Sequence, residues 1–221
     1  FKYLTVQTHQ LEENPAELLD SPKLKKSLPK HLTLENSLEL LNSVKESDST
    51  NSIRDYCIIT LFLNCGMRLS ELCGLNVTDI STDGSLRILG KGNKERVIYL
   101  NDACRSSLLD YLKVRPNEGI PADHKNALFI SRNRRRISNK TVQHIVYTYL
   151  DRIGLGGQGL SVHKLRHTAA TLMYQHGGVD IRVLQNILGH ENLGTTQIYT
   201  HVADEQVKNA VDEYLTENPV G

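Results

Sequence analysis

Four separated segments carry polar side chains of the types that could act together on a phosphate. In Gly66-Met67-Arg68-Leu69-Ser70-Glu71-Leu72, Arg68 and Glu71 stand three residues apart and can pair on one face of a helical turn, a spacing equally common in ordinary surface ion pairs. In Gly90-Lys91-Gly92-Asn93-Lys94-Glu95, with Arg96 just behind, a turn presents ammonium groups, which suits an anionic ligand or simply solvent. In His163-Lys164-Leu165-Arg166-His167 the two histidines have the i, i+4 spacing of a helical zinc pair. Lys164 stands where a zinc protease needs Glu, however, and two neighbouring cations would repel a metal. His163 and Arg166, three apart, instead suit a phosphate: the guanidinium forks onto two oxygens while the imidazole donates or exchanges a proton. The fourth segment is Leu188-Gly189-His190-Glu191-Asn192, followed by Thr195-Thr196-Gln197-Ile198-Tyr199-Thr200-His201. A helix-turn-helix is its strongest non-enzymatic reading, and Tyr199 alone reads as a half-buried core residue.

Taken together, the segments supply two arginines, a lysine, two histidines and a tyrosine. They contain neither a carboxylate cluster for Mg²⁺ nor a Gly-rich loop ending in Lys-Ser/Thr. Such a set fits metal-free phosphoryl transfer to a tyrosine. Two arginines would neutralise the pentacoordinate phosphorane. A Lys or His would protonate the leaving group, and another His would assist the phenol. A phenol of pKa about 10 is only on the order of 0.1% ionised at pH 7, so it needs a base or a cationic site.

The elements that must position these groups are mostly helical. Leu34, Leu38 and Leu41 mark a helix with Thr33 as N-cap. Ile58, Leu61, Phe62 and Cys65 mark a second, ended by Gly66. Cys104, Leu108, Leu109 and Leu112 mark a third, stopped by Pro116. Val142, Ile145, Val146, Tyr149, Leu150 and Ile153 keep helical period over three turns. Leu165, Ala169, Leu172 and Met173 mark another helix, then Ile181, Leu184, Ile187 and Leu188, and finally Ala203, Val207, Ala210, Val211 and Tyr214. Period 2 replaces period 3.6 only at Leu86–Leu89 and Val97–Leu100, a hairpin around the Lys91 turn, with Ala127–Ile130 as a candidate third strand. The predicted fold is mainly α with a small antiparallel β-sheet.

With 221 residues, 39% of them hydrophobic, the chain is long enough for a sizeable core. Its 26 basic and 25 acidic residues leave a net charge of +1, which excludes a generally basic DNA-coating protein but not a local basic face. No apolar run approaches the roughly 20 residues of a membrane span, and no signal segment opens the chain. Cys57, Cys65, Cys73 and Cys104 form no C-x-x-C pair; Cys57 and Cys65 read as small core residues in a reducing, cytoplasmic setting. Pro15, Pro22 and Pro29, among Lys23, Lys25, Lys26 and Lys30, read as an extended basic linker. The absence of an initial Met suggests a piece of a longer chain.

The ordered motifs around Arg68, Lys91, His163 to Thr168 and Leu188 to His190, with Tyr199 nine residues on, resemble the tyrosine recombinases, the phage integrase family, from about Leu28 to Val211. The wording around Tyr199 looks most like the Xer branch, though integrases of mobile elements share much of it. The resemblance implies a tyrosine recombinase catalytic domain acting as a site-specific recombinase. Tyr199 would attack a phosphodiester to give a 3′-phosphotyrosine and a free 5′-hydroxyl, then strands would exchange and rejoin without metal, ATP or cofactor. Arg68 and Arg166 would clamp the phosphate and Lys91 would protonate the 5′-oxygen. His163 and His190 would complete the catalytic set, with Glu71 supporting Arg68 and the histidine. Residues 1–30 would be the end of an N-terminal DNA-binding domain plus the linker, and residues 31–221 the catalytic domain with its C-terminal helix. Partners would be double-stranded DNA and other protomers in a tetramer, with exchange of the C-terminal helix; the setting would be cytoplasmic and nucleoid-associated, in chromosome segregation or element mobility.

Further DNA contacts are read from charge. Arg132, Arg134, Arg135, Arg136 and Lys140 lie in a ten-residue stretch with no acid, and Thr141 and Gln143 follow on the polar side of a helix. A basic entry and a polar face suit a helix in the major groove. Lys94, Arg96 and Lys164 are expected to touch DNA near the cleavage point. The competing readings are a type IB topoisomerase and a helix-turn-helix regulator, which has no need of Arg68, Lys91 or Tyr199.

Overall fold

The computed structural model describes residues 1–16, 30–90 and 95–189. The expectations placed on the linker at 17–29, the hairpin tip at 91–94, His190, Tyr199 and the last helix lie outside the described residues.

Eight helices and one hairpin make up this part, in the order α1 (Lys2–Val6), α2 (Leu34–Lys45), α3 (Ser52–Cys65), α4 (Leu69–Gly74), β1 (Leu86–Leu89), β2 (Glu95–Ile98), α5 (Asp102–Val114), α6 (Asn139–Arg152), α7 (Val162–Gln175) and α8 (Ile181–Leu188). Side chains cap four of these helices, each satisfying an orphan N–H of a first turn. Thr33 Oγ1 accepts from Asn36 N (3.1 Å) and Asn101 Oδ1 from Cys104 N (3.0 Å). Ser138 Oγ accepts from Thr141 N (3.1 Å) and Asp180 Oδ1 from Arg182 N (2.8 Å).

Helix α3 is the axis of the fold. Its buried residues run nearly all the way round, from Arg54 to Cys65, as expected for a helix enclosed by neighbours rather than laid on a surface. Helices α2, α5, α6 and α7 pack around it. Phe62, Ile58, Ile59 and Leu61 form the centre, with Leu40, Leu108, Val146 and Leu165 closing over them. The one charged pair in α3 is internally matched: Arg54 Nη2 and Nε both donate to Asp55 Oδ1 (2.7 and 2.9 Å), and Arg54 Nη1 donates to Ile130 O (3.1 Å). All four cysteines are buried thiols; Cys65 and Cys104 Sγ stand 3.8 Å apart, and burial pushes Cys57 up to about 12. Ahead of α2, Leu32 N donates to Thr168 Oγ1 (2.9 Å), fastening the entry segment to α7. No helix of the described residues is long and apolar enough to cross a membrane.

One expectation is corrected. Ala127–Ile130 does not join the sheet, which has two antiparallel strands with Ile88 opposite Arg96. Its backbone groups are taken elsewhere. Arg115 donates to the carbonyls of Ala127 and Leu128, Tyr111 Oη donates to Leu128 O, and Ile130 N donates to Tyr111 Oη. Among the described residues, isolated bridges from Asn76 to Ala127 and from Ile130 to Arg136 are the ladder contacts left to it. In α2, Leu34 and Leu38 are 47% and 53% exposed, while Ser37, Leu40 and Val44 face inward. Burying Ser37 costs little because its hydroxyl donates to Thr33 O at 2.7 Å. Leu109 of α5 likewise points outward.

Two glycines end the helices that matter most. Gly66 follows α3 at φ 57° and Gly189 follows α8 at φ 63°, the left-handed cap that L-residues resist. A Cβ on Gly66 would also stand 2.8 Å from Leu188 Cδ2. Gly66→Ala is therefore expected to lower stability by roughly 1–3 kcal/mol. Gly74→Ala, at an exposed helical position where a Cβ meets nothing, should be neutral or stabilising by about 0.4–1 kcal/mol. Urea unfolding of the two variants beside the parent checks the contrast, and equal effects would contradict it.

Candidate active site

The ends of α3 and α8 meet at the start of α4 and one face of α7. Arg68 is the N-cap of α4, and Glu71 stands in that helix's first turn. The carboxylate reaches back to accept from Arg68 N at Oε2 (2.7 Å), as the third residue of a capping box does. Its Oε1 accepts from Arg68 Nη1 (2.8 Å). From β2, Arg96 forks onto the same group, Nη1 to Oε1 and Nη2 to Oε2, both at 2.8 Å. Glu71 thus takes four N–H bonds with its side chain only 3% exposed. Burial alone would raise its pKa, but the bonds from Arg96 and Arg68 outweigh that and hold it at about 2.

The two arginines of the expected clamp converge on α8. Arg68 Nη2 donates to Gly189 O (2.9 Å), and Arg166 Nη2 donates to the adjacent Leu188 O (2.7 Å). Arg166 Nη1 donates to Gly66 O at the end of α3 (2.6 Å). A helix C-terminus carries partial negative charge and unpaired carbonyls, so Arg166, 4% exposed, satisfies two such ends at once. Arg68 is the more open, its side chain 36% exposed. A guanidinium has five N–H donors, so the two bonds from Arg68 to Glu71 and Gly189 do not exhaust it.

His163, one turn before Arg166 on α7, is exposed beside this cluster and meets His167 edge-on, with ring centroids 4.7 Å apart. Partial burial, then the charges of Arg166, Lys164 and Arg68, push its pKa below the usual value. These surroundings favour the neutral imidazole over the charged one.

Of the residues expected to act, Arg68, Glu71, His163 and Arg166 are brought together; Lys91, Lys94, His190 and Tyr199 lie outside the described residues. The expected DNA contacts divide. Arg132, Arg134, Arg135, Lys140 and Gln143 are exposed along one turn and the start of α6, and Lys164 is half-buried. Thr141 is half-buried, its hydroxyl 2.9 Å from Ser138 Oγ. Two of the expected contacts have partners within the protein. Arg136 closes α4: Nη1 donates to the carbonyls of Gly74 and Leu75 (both 2.8 Å) and Nη2 to Asn76 Oδ1 (2.6 Å). Arg96, read as a DNA contact, is spent on Glu71. A carboxylate partner 25 residues distant leaves no spacing signal. The roles of the Gly66, Leu188 and Gly189 carbonyls were equally absent from the pattern, although both glycine caps were readable.

With this geometry in place, the comparisons agree. The model of the Phage integrase family matches residues 30–206, and the chain belongs to that family. It is 54% identical over 213 residues to tyrosine recombinase XerC of Caldanaerobacter subterraneus subsp. tengcongensis, covering 96% of this chain and 59% of that protein. It is 37% identical to tyrosine recombinase XerC of Thermodesulfovibrio yellowstonii, covering 94% of this chain and 68% of the relative. The chain thus spans about three fifths to two thirds of the length of these relatives. Among solved structures, XerH site-specific recombinase bound to palindromic difH substrate in a post-cleavage complex aligns with a TM-score of 0.75 at 27% identity, covering 88% of this chain and 56% of that one. XerA recombinase aligns at 0.69 and 28%, covering 88% and 67%.

Two measurements test the electrostatics. Because the folded pKa of Glu71 lies below the ordinary 4.5, its ionised form stabilises the fold above pH 4.5, and that contribution fades as pH falls towards 2. Glu71→Gln is expected to lose on the order of 3 kcal/mol at pH 7 at most, from about 1.4 kcal/mol per pKa unit, with the gap to the parent narrowing by pH 3. A pH-independent gap in urea unfolding would contradict it. NMR titration of His163 should give a midpoint below 6.5; a midpoint above it would mean that the neighbouring cations do not govern the ring.

Proposed function

We propose that the protein is a site-specific DNA recombinase working through a covalent phosphotyrosine. The observation that carries the proposal is the convergence of Arg68 and Arg166 on adjacent carbonyls of one helix end, with His163 alongside, in a chain of the Phage integrase family. In this reading the Tyr199 oxygen attacks phosphorus, the bond to the 5′-oxygen breaks, and a 3′-phosphotyrosine forms. The phenol proton passes to His163, and Lys91 delivers a proton to the departing 5′-oxygen. Arg68 and Arg166 offset the charge gained by the phosphorane, and His190 adds a donor. Attack by a 5′-hydroxyl of a second strand reverses the steps. The phosphotyrosine conserves the phosphodiester's energy, so no nucleotide is consumed and no step calls on a metal ion.

Double-stranded DNA is the substrate, held at its backbone by the exposed cations of residues 132–140 and read by the polar face of α6. Paired sites assemble four protomers, and the apolar stripe from Ala203 to Tyr214 passes to a neighbour, coupling assembly to cleavage. Residues 1–30 supply the link to a second DNA-binding unit, and the protein works on the nucleoid in the cytoplasm. The XerC relatives support chromosome dimer resolution as the role. Simple strand relaxation and a non-catalytic regulator are not favoured by that kinship.

The test is a suicide substrate built from a site selected out of random-sequence DNA. In excess EDTA the protein should form an adduct of slower mobility on a denaturing gel, absent in Tyr199→Phe and reduced at least about a hundredfold in Arg68→Ala. Lys91→Ala should be slow on ordinary DNA and largely restored on DNA with a 5′-bridging sulfur, which leaves without a proton. Adduct persisting in Tyr199→Phe would place the nucleophile elsewhere.

A further inference from the structure

Arg96 lies in β2 opposite Ile88, one residue pair inside the last rung of the hairpin, Leu89 with Glu95. The inner half of this ribbon is fixed by burial of Leu86, Ile88 and Ile98, whereas Leu89, Glu95 and Val97 are exposed. A two-stranded ribbon has little stability of its own. Towards the tip, the fork from Arg96 to Glu71 is therefore the outermost anchor among the described residues. That fork is bidentate and its side chain only 15% exposed, a geometry in which guanidinium position and plane are both set. Gly189 packs against the guanidinium, since a Cβ there would stand 3.1 Å from Arg96 Nη1. The anchoring carboxylate is also the one that aims Arg68.

From this arrangement we infer that Arg96 is a positioning residue for the leaving-group acid. By forking onto Glu71 it locks the hairpin carrying Lys91 into the same frame as the phosphate clamp, so the proton donor and the arginines keep a fixed relation. The inference rests on the proposed role of Lys91, five residues earlier in the chain. In this role Arg96 acts through Glu71 and the hairpin strands. A glutamine at 96 would leave Glu71 its bonds to Arg68 but release the hairpin; a lysine would keep one bond to the carboxylate and lose the fork.

The experiment compares Arg96→Gln, Arg96→Lys and Glu71→Gln with the parent in single-turnover cleavage of the same selected site, made with oxygen or with sulfur at the 5′-bridging position. Arg96→Gln should cleave the oxygen substrate at least about tenfold more slowly and the sulfur substrate within about threefold of the parent, because sulfur dispenses with the acid. Arg96→Lys should fall between. Glu71→Gln, which also frees Arg68, should be slow on both. Equal loss on the two substrates in Arg96→Gln, or no loss on either, would overturn the inference. Amide hydrogen exchange supplies a readout that needs no catalysis: residues 90–95 should exchange faster in Arg96→Gln while α3 and α7 stay unchanged. Unchanged exchange in the hairpin would also overturn it. If the parent itself forms no Tyr199 adduct, the recombinase reading fails, and the exchange measurement still decides whether Arg96 anchors the hairpin.

Discussion

A single buried carboxylate organises the cationic site. Glu71 accepts from the backbone that starts α4, from the side chain of Arg68 and from the fork of Arg96. Without it, two guanidiniums drawn from positions 28 residues apart would repel each other in a partly dry setting. With it, the trio keeps one surplus positive charge, available to an anion. The cost of burying the carboxylate is offset because both oxygens are doubly bonded to N–H groups, which is the condition under which a buried charge stabilises rather than weakens a fold. The same group joins three parts of the chain that have no other reason to share a geometry: a helix start, a hairpin and a helix end.

The second cation is held by different means. Arg166 lies between the carbonyl ends of α3 and α8 and donates to both. Those ends come together because Gly66 and Gly189 let each helix turn away at its last residue, and because Leu188 fits where Gly66 has no side chain. Arg68 and Arg166 together then do two things at once. They supply positive charge for a phosphate and, together with the ring's burial, they push the pKa of His163 down. One charge distribution thus attracts an anion and favours the uncharged form of the ring beside it.

Much of this was legible in the residues. Thr33 was readable as a cap, Gly66 as a helix end, and α5 to α8 as helices because their apolar residues recur at helical spacing. Arg68, Glu71, His163 and Arg166 stood out as polar groups that the helical pattern did not require. What escaped the sequence were pairings between distant segments. Arg96 and Arg136 looked like surface cations, since nothing in the local pattern says that a carboxylate or a row of helix-end carbonyls lies within reach. Periodicity established α2 without fixing its inner face: Leu34 and Leu38 share a helical stripe, and the fold turned Leu40, Val44 and a self-satisfied Ser37 inward. Ala127–Ile130 had strand composition, but Arg115 and Tyr111 had claimed its backbone.

The two arginines differ in what fastens them. Arg68 donates to one carboxylate and to the carbonyl of Gly189, whereas Arg166 donates to the main-chain oxygens of two helix ends. The bonds from Arg166 therefore follow the course of the helix ends, while position 71 acts through its carboxylate. A protein built this way concentrates its fragility at one carboxylate and at the two glycines that turn the helix ends.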